Sequence, residues 1–389
     1  MSSPAADVLV VGAGVVGASV AYHAASAGLR VAVVERGSIA SGTSSACEGN
    51  LLVSDKAPGP ELSLALLSRR IWEATADDLG RPAFEFDAKE GVVVARTPDG
   101  VAALRGFAEA QRAAGVTVED VDSAGLRRLE PNLSPMIAGG AWYPQDAQVQ
   151  PMLAVAAMLA RARALGATVH TGTAVVGFAR DASGRVTGVT TSAPDLPSIA
   201  ARWVVNAAGT WAGQVSELAG APIPVLPRRG FVLVTEPLPR AIRHKVYSAD
   251  YVANVASSEA GLEASAVIEG TQSGTILVGA SRERVGFDRT YSVRVVRRLA
   301  SQAVELFPFL ADVGLLRTYL GFRPYCPDHL PVIGEDDRAP GLIHAAGHEG
   351  AGIGLSAATG RLVAQIASGV APDVDLAPFR PNRFEAAGR

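Results

Sequence analysis

A glycine-rich turn near the start of the chain constrains the fold more than any other feature. The pattern G-x-G-x-x-G is formed by Gly12, Ala13, Gly14, Val15, Val16 and Gly17. It follows an apolar run at 7–12, typical of a buried strand, and opens an Ala-rich helix predicted over 14–28. A second buried strand is predicted at 30–35. Strand, helix and strand in this order form a βαβ unit, which predicts a parallel sheet and an α/β fold.

The chemistry of this turn predicts a dinucleotide site. Gly12 permits the tight turn, Gly14 lets the backbone approach a pyrophosphate, and Gly17 allows the helix to pack closely on the strand. The helix N-terminus supplies N–H donors and partial positive charge to the phosphates. Glu35, at the end of the second strand, would accept hydrogen bonds from the adenosine ribose, and its charge disfavours NADP. A glycine-rich turn without a ligand is the alternative.

The segment that follows Glu35 distinguishes FAD from NAD. Residues 36–50 are small and rich in hydroxyl groups, whereas an NAD domain would usually continue into another crossover helix. A flavin needs an extended segment that runs under the pyrophosphate and along the isoalloxazine ring. We therefore predict FAD, with contacts from Arg36, Gly42, Thr43, Ser44, Ser45, Gly49 and Asn50. An ordinary surface loop is the alternative that this pattern leaves open.

Composition excludes several other classes of protein. Lys and Arg number 35 and Asp and Glu 38, a net charge of −3 without a basic block, so no nucleic-acid partner is expected. Two cysteines, Cys47 and Cys326, form neither a disulfide framework nor a cysteine-rich metal site. No apolar run reaches the roughly 18 residues of a spanning helix, and the N-terminus lacks a basic signal region. We expect a cytoplasmic protein without a metal, and peripheral contact with the inner face of a membrane stays open.

The rest of the chain alternates between two kinds of sequence pattern. Helices are predicted at 152–165 and 354–368, and strands at 168–178, 186–191, 202–209 and 341–346. The segments 80–145 and 220–320 instead carry alternating strands, prolines and a hairpin signal at 272–274. We predict a discontinuous Rossmann-like FAD-binding domain of the glutathione-reductase type at 1–80, 146–218 and 321–379. A β-rich substrate domain is predicted at 81–145 and 219–320, a flexible tail at 380–389 and disorder at 1–6.

Four segments, in this order, resemble the D-amino acid oxidase superfamily of FAD-dependent oxidoreductases. They are DVLVVGAGVVGASVAYHAASAGLRVAVVERG from residue 7, VVNAAGTWA at 204–212, GFRPYCPDHLPVIG at 321–334 and GHEGAGIGLSAATGRLVAQI at 347–366. The superfamily includes glycine oxidase and sarcosine oxidase. It also includes the FAD subunits of opine, hydroxyproline and cyanide-forming glycine dehydrogenases, to which the segments CEGN and GHEG are most similar.

The resemblance implies further contacts with FAD. Beside the adenine and the ADP moiety it places Ala174, Val175, Ala207, Ala208, Gly209 and Trp211. Beside the flavin it places Gly350, Ala351, Gly352 and Ile353, where backbone N–H groups and a helix N-terminus would meet the negative charge of reduction. Gly321 stands where sarcosine oxidases carry the cysteine that is linked to FAD, so a non-covalent flavin is expected.

The resemblance also implies the substrate-binding residues. Arg323 is expected to hold the substrate carboxylate, because a guanidinium matches a carboxylate in two places and similar enzymes use an arginine there. Asn50 is implied as a substrate contact beside the flavin, with Cys47 and Glu48 near the ring.

Two further pairs of residues are candidates for the site. His348 and Glu349 are candidate bases or substrate contacts, and a role in ordering their loop is the alternative. Tyr247 and Tyr251 are candidates for the tyrosine of glycine oxidase, with packing as the alternative.

These implications predict an enzyme that oxidises the C–N bond of a small amino or imino acid. The substrate class covers D-amino acids, N-substituted amino acids, proline or hydroxyproline and opines, and hydride would pass from Cα to flavin N5 to leave an imine. The electron acceptor (oxygen, a quinone or a partner subunit) and the oligomeric state stay open. One alternative is an FAD-containing electron-relay or non-catalytic subunit of a larger dehydrogenase complex. Another is a flavin monooxygenase, which would need NAD(P)H.

Overall fold

The computed structural model describes residues 6–251 and 259–384. Its strands are β1 (Ala6–Val11), β2 (Val31–Val34), β3 (Asn50–Leu51), β4 (Gly91–Ala95), β5 (Glu119–Asp122), β6 (Gly139–Tyr143), β7 (Ala147–Gln148), β8 (Thr168–His170), β9 (Val175–Arg180), β10 (Val186–Thr191), β11 (Ser198–Asn206), β12 (Leu226–Thr235), β13 (Lys245–Ser248), β14 (Glu263–Gly270), β15 (Ile276–Arg282), β16 (Leu315–Tyr325), β17 (Val332–Glu335) and β18 (Leu342–Ala346). Its helices are α1 (Val15–Ser26), α2 (Pro60–Leu79), α3 (Pro98–Ala113), α4 (Ser123–Leu129), α5 (Pro151–Ala164), α6 (Ala212–Leu218), α7 (Val293–Leu306) and α8 (Gly352–Ser368).

The first sheet has the strand order β17-β18-β11-β1-β2-β8, and β10 and β9 continue from β11. Its centre is parallel, since β1 pairs in parallel with β2 and β11, and β11 with β18. The side chains of β1 and β2 are almost wholly buried, because helices and strands cover both faces of this part of the sheet. Helix α1 packs against α5 and α8 on one side. The predicted βαβ unit and α/β fold are confirmed.

The second sheet has the order β16-β12-β15-β14-β13-β4-β6-β5. It is antiparallel except where β13 runs parallel to β4. Helix α7 packs on β14 and β15, and it contributes Val295, Leu299, Ala303 and Leu306 to a separate apolar core. The hairpin signal at 272–274 lies between β14 and β15, which pair antiparallel as predicted.

Several predicted elements differ from the observed ones. The strand predicted at 168–178 is two strands, β8 and β9, because Gly172 adopts a positive φ of 65° and the chain turns there. Strand β8 pairs with β2, whereas β9 pairs with β10. Helices α3 and α7 lie within the segments that were predicted to be rich in strands. The strand predicted at 202–209 starts earlier, at Ser198, because its first half pairs with β10.

The division into two domains stays a prediction. Strand β16 crosses the predicted boundary between residues 320 and 321. Pro381–Phe384, inside the predicted flexible tail, form a short 3-10 helix in which the Arg383 Nε donates to Asp328 Oδ2 at 2.6 Å. Ala6 belongs to β1, and the remainder of both predicted disordered ends, 1–5 and 385–389, lies outside the described residues. Over 6–251 and 259–384, no helix combines the length and apolarity that a membrane span requires. The cellular location stays a prediction.

Candidate functional site

One elongated cleft lies at the carboxyl ends of the parallel strands of the first sheet. Val11, Val34, Ala207 and Ala346, which end or follow β1, β2, β11 and β18, all line it. The opposite wall comes from β12 and β16 of the second sheet. The carboxyl edge of such a sheet is where α/β folds bind nucleotides, because loops and helix N-termini converge there.

The glycine-rich turn brings the start of α1 to the cleft. Gly12 has a φ of 108°, and a side chain on it would come within 2.5 Å of the Ala207 carbonyl oxygen. A side chain on Gly17 would overlap the Gly12 carbonyl oxygen, so its predicted packing role is confirmed. Gly17 therefore lies behind the cleft wall, whereas Gly14, Val15 and Val16 line it with Gly12.

Glu35 is held in place at the end of β2. Its Oε2 accepts a hydrogen bond from the Ala13 N–H at 2.9 Å, and its Oε1 accepts one from the Gly37 N–H at 2.8 Å. Each carboxylate oxygen retains a lone pair for a ligand hydroxyl. Ala13 is fully buried and does not line the cleft, so its part in the site is to orient Glu35.

The segment at 36–50 forms one wall of the cleft, so it is not an ordinary surface loop. The buried Ser44 Oγ accepts from the Val15 N–H at 2.9 Å, and the Thr43 Oγ1 donates to the Phe322 carbonyl oxygen at 2.6 Å. These bonds attach the segment to α1 and to β16. Ser45, in contrast, is exposed, donates to the Gly42 carbonyl oxygen at 3.0 Å and does not line the cleft.

Two further regions form the end of the cleft expected to hold the adenine. Both backbone groups of Ala174 are bonded to Ser192, at 3.0 Å and 2.8 Å, which leaves Val175 as the better candidate for pairing with a base. Both residues line the cleft. The Arg36 guanidinium lies 3.9 Å from the centre of the Trp211 ring, and Trp211 stacks on Phe287. Ala208 and Gly209 complete this wall.

The start of α8 reaches the opposite end of the cleft. Gly350, Gly352 and Ile353 line it. Helix α2 holds this turn, since Trp72 Nε1 donates to the Ile353 carbonyl oxygen at 3.1 Å. Ala351 lines a small neighbouring hollow and not the cleft, and its contact with FAD stays a prediction.

Arg323, Asn50, Tyr251 and His348 all line the same cleft. The Arg323 Nη1 donates to the Ser281 carbonyl oxygen at 2.7 Å, and burial together with the nearby Arg282 lowers its pKa. Burial raises the pKa of the Tyr251 hydroxyl. The buried Oδ1 of Asn50 has no hydrogen-bond partner among the described residues.

His348 is 3% exposed, and its Nε2 lies 2.9 Å from Thr359 Oγ1. Burial lowers the pKa of His348 to about 3, so the ring is neutral near pH 7 and accepts a proton poorly. This favours the loop-ordering alternative over a catalytic base. The neighbouring Glu349 binds Arg228 at 2.5 Å and His329 at 3.0 Å.

Two lining residues, Thr210 and Gly230, were not predicted as site residues, although Thr210 lies within the segment 204–212. Thr210 donates to the Phe322 carbonyl oxygen at 2.8 Å, the same acceptor that Thr43 uses. Gly230 lets the Arg323 side chain pack directly on β12, where a Cβ would meet the guanidinium. This contact depends on the pairing of β12 with β16, which no sequence motif predicts. Within the described ranges, no group of three or more His, Cys, Asp and Glu residues could hold a metal ion.

Comparisons with known proteins identify the family of the chain. Residues 7–366 match the family described as FAD dependent oxidoreductase (DAO). Glycine oxidase of Geobacillus kaustophilus is 32% identical over 384 residues, which cover 97% of each chain. A crystal structure of glycine oxidase from that organism superposes with a TM-score of 0.87 at 29% identity and covers 98% of this chain and 99% of that one.

The hydrogen cyanide synthase subunit HcnC of Pseudomonas protegens is 34% identical over 269 residues, 69% of this chain. Those residues correspond to 60% of that subunit, so the chain spans about three fifths of this relative. L-proline dehydrogenase from P. horikoshii shares the fold, with a TM-score of 0.87 at 24% identity.

Proposed function

The chain belongs to the family of FAD-dependent oxidoreductases, and from this premise we propose that it oxidises the C–N bond of a small amino or imino acid. The observation that carries the proposal is the presence of Arg323 in the wall of the cleft that α1 and α8 also enter. A half-buried guanidinium with one carbonyl partner retains donors for a carboxylate. The similarity to glycine oxidase over nearly the whole chain supports an amino acid as the substrate.

FAD fits the residues of the cleft. The N-termini of α1 and α8 both open on it, and the first N–H groups of a helix have no partner within the helix. The Val15 N–H is already bonded to Ser44, so the next N–H group of α1, that of Val16, would hold the pyrophosphate. The first N–H groups of α8 would meet the flavin, and Glu35 would hold the ribose. Gly321 offers no thiol at the position expected for a covalent link, which supports a non-covalent flavin.

FAD, when bound, supplies a two-electron acceptor that takes a hydride from the substrate Cα. The protein would orient the substrate by binding its carboxylate at Arg323. The free Oδ1 of Asn50 would accept a hydrogen bond from the substrate amine. Tyr251, 7% exposed, and Phe322, 5% exposed, would exclude water and so favour the neutral amine that oxidation needs.

A second candidate is an FAD subunit that relays electrons within a larger dehydrogenase complex. The similarity to the hydrogen cyanide synthase subunit HcnC favours it. In this case a partner subunit, rather than oxygen or a quinone, would accept or deliver the electrons. Tight flavin binding without reduction by any amine would characterise the isolated chain.

Anaerobic mixing with a substrate panel tests the first proposal against the second. The panel holds glycine, D-amino acids, sarcosine, both prolines, hydroxyproline and an opine. Absorption of the bound flavin, which is the redox centre, is followed in its yellow band at about 450 nm. We expect one class of amine to bleach the flavin. Bleaching by none of them, from a preparation that retains its flavin, would contradict amine oxidation and favour the relay.

A further inference from the structure

Glu48 is an acidic side chain of the cleft with a buried oxygen that has no hydrogen-bond partner among the described residues. It is 7% exposed and lines the cleft together with Arg323 and Tyr251. Its Oε1 is buried without a hydrogen-bond partner, and Glu48 forms no ion pair within 6–251 and 259–384. Leaving a buried carboxyl oxygen without a hydrogen bond is costly, which points to a ligand that carries an N–H donor.

The nearest buried lysines are already engaged. Lys245 pairs with Glu269, and both are fully buried under the second sheet. Lys89 Nζ donates to Gln148 Oε1 at 2.5 Å and also to the carbonyl oxygen of Gly270. Neither ammonium group forms an ion pair or a hydrogen bond with Glu48. The partner of Glu48 must therefore come from outside this set of side chains.

Strand β15 contacts both Glu48 and Arg323. A Cβ on Gly279 would come within 2.6 Å of the Glu48 Cδ, so the carboxylate rests directly on that glycine of β15. Arg323 is bonded to the carbonyl oxygen of Ser281, two residues further along the same strand. Glu48 and Arg323 therefore both contact β15, both line the cleft and interact electrostatically. A ligand that carries an amine and a carboxylate can meet an acidic and a basic side chain there.

We propose that Glu48 binds the substrate's amino group, so that the cleft recognises a zwitterion at two points, carboxylate at Arg323 and amine at Glu48. This inference rests on the proposed amine oxidation and narrows its substrate to acids that carry an α-amino or α-imino N–H. The ammonium proton passes from nitrogen to Oε1: the N–H bond breaks, the O–H bond forms, and the nitrogen lone pair becomes available. No electrons are gained or lost in this transfer.

Matched ligands test the proposal in the FAD-loaded protein. Sarcosine and proline are compared with methoxyacetate and tetrahydrofuran-2-carboxylate, in which an ether oxygen replaces the amine. Binding is measured anaerobically from the change in flavin absorption. In Glu48→Gln we expect the Kd or KM of the amines to rise at least about tenfold, the size of one lost charge-assisted hydrogen bond. The ethers should bind within about twofold of the wild type.

Two further readouts separate binding from a structural role. Glu48→Gln removes a buried charge that has no partner, so the substrate-free variant should unfold at the same or a higher urea concentration. The rate of flavin reduction in Glu48→Gln should rise with pH as the free amine loses its own proton, because glutamine cannot accept it. Glu48→Asp keeps the charge and should recover part of the preference for amines.

Some outcomes would overturn the proposal. If Glu48→Gln weakened the binding of amines and ethers equally, or changed neither, Glu48 would not bind the amine. The same conclusion would follow if the variant were destabilised but kept the wild-type selectivity for amines. Failure of the proposed function is distinguishable, since the wild-type flavin would then be bleached by no amine. If an amine bleached the wild-type flavin but Glu48→Gln kept the same preference for amines over ethers, only the role of Glu48 would be refuted.

Discussion

At the scale of single residues, Arg323 tests the proposed chemistry most directly. Lysine at this position would keep the charge but lose the forked donors that match a carboxylate. We expect Arg323→Lys to raise the KM of a carboxylate substrate about 10- to 100-fold, the value of one or two charge-assisted hydrogen bonds. The ratio of bound flavin to protein should stay unchanged. Steady-state kinetics with flavin absorbance would measure both quantities.

Arg317 provides the control for this substitution. It lies on the same strand, β16, but is exposed and does not line the cleft. Arg317→Lys should leave the KM of the substrate unchanged. An unchanged KM in Arg323→Lys as well would refute the assigned role of Arg323.

His348 predicts a pH dependence of stability. Its pKa is about 3 in the folded protein and near 6.5 in the unfolded chain. Between pH 3 and pH 6.5 the unfolded chain therefore binds a proton at His348 that the folded protein does not. The contribution of His348 to the unfolding free energy is complete above pH 6.5 and falls as the pH drops toward 3. At pH 4 the loss is on the order of 3 kcal/mol.

Replacing His348 with glutamine, which can still bond to Thr359, should remove this part of the acid sensitivity. Urea unfolding at pH 7.5 and at pH 4 measures the difference in unfolding free energy for both proteins. His23, whose burial lowers its pKa to about 4, contributes its own loss in both and so cancels in the comparison. An identical pH difference in the two proteins would show that His348 is not the source.

Motifs predicted where most site residues lie but not how each side chain is used. Glu35 and Arg323 could be assigned to the site because their roles follow from a motif and from the charge of the ligand. Ser44 and Ser45 could not be separated, since neighbouring positions in a short turn point in different directions and only the fold decides which one is buried. The unpaired oxygen of Glu48 depends on Lys245 of β13 and Glu269 of β14 pairing with each other, which no local pattern relates to Glu48.

At the scale of elements, continuous apolar runs were the most reliable signal. Strands β1 and β2 are buried on both faces, so their composition alone identifies them. The run at 168–178 was wrongly predicted to be one strand. Gly172 adopts a positive φ, so the chain turns there and the second half of the run pairs with a different strand. Helix α7 places Val295, Leu299 and Leu306 at helical spacing, but prolines and strands nearby made its segment resemble a sheet.

The contact between α1 and α8 is expected to control flavin binding from a distance. Gly360 of α8 packs on Ser19 of α1, and a Cβ would come within 2.5 Å of the Ser19 carbonyl carbon. Gly360→Ala should therefore separate two helices whose N-termini open on the cleft. We expect the Kd for FAD to rise at least tenfold and the unfolding free energy to fall by about 1–3 kcal/mol, as for other overpacked sites. Flavin fluorescence and urea unfolding would measure these effects.

Gly106 provides the matched control for Gly360. It is an exposed helical glycine on α3, and a Cβ at this position would meet no atom of another element within 4 Å. Gly106→Ala should leave FAD binding unchanged and stabilise the protein slightly, by up to about 1 kcal/mol, because alanine favours the helix. Equal flavin affinity in both variants would show that the spacing of α1 and α8 does not govern the site.

At the scale of the whole molecule, one buried ion-pair network joins the second sheet to the start of α8. The fully buried Arg228 of β12 pairs with Glu263 of β14 at 2.9 Å and with Glu349, directly before α8, at 2.5 Å. His329 bonds the other oxygen of Glu349 at 3.0 Å. The main apolar core also crosses between the layers, since Tyr247 and Val267 of the second sheet pack in the same cluster as α1 and α8. The two layers are thus expected to unfold together.

This continuity makes FAD a stabiliser of the entire chain. The cleft draws its walls from β1 near the start of the sequence and from α8 near its end, so unfolding either part destroys the binding site. FAD at a hundredfold excess over its Kd should then add about 2.7 kcal/mol to the unfolding free energy. Loss of far-UV circular dichroism and release of fluorescent flavin should share one midpoint, which should rise with FAD and not with NADP, because Glu35 disfavours a 2′-phosphate. Flavin release well before the loss of secondary structure would show that the layers separate first, and a midpoint indifferent to FAD would contradict the site itself.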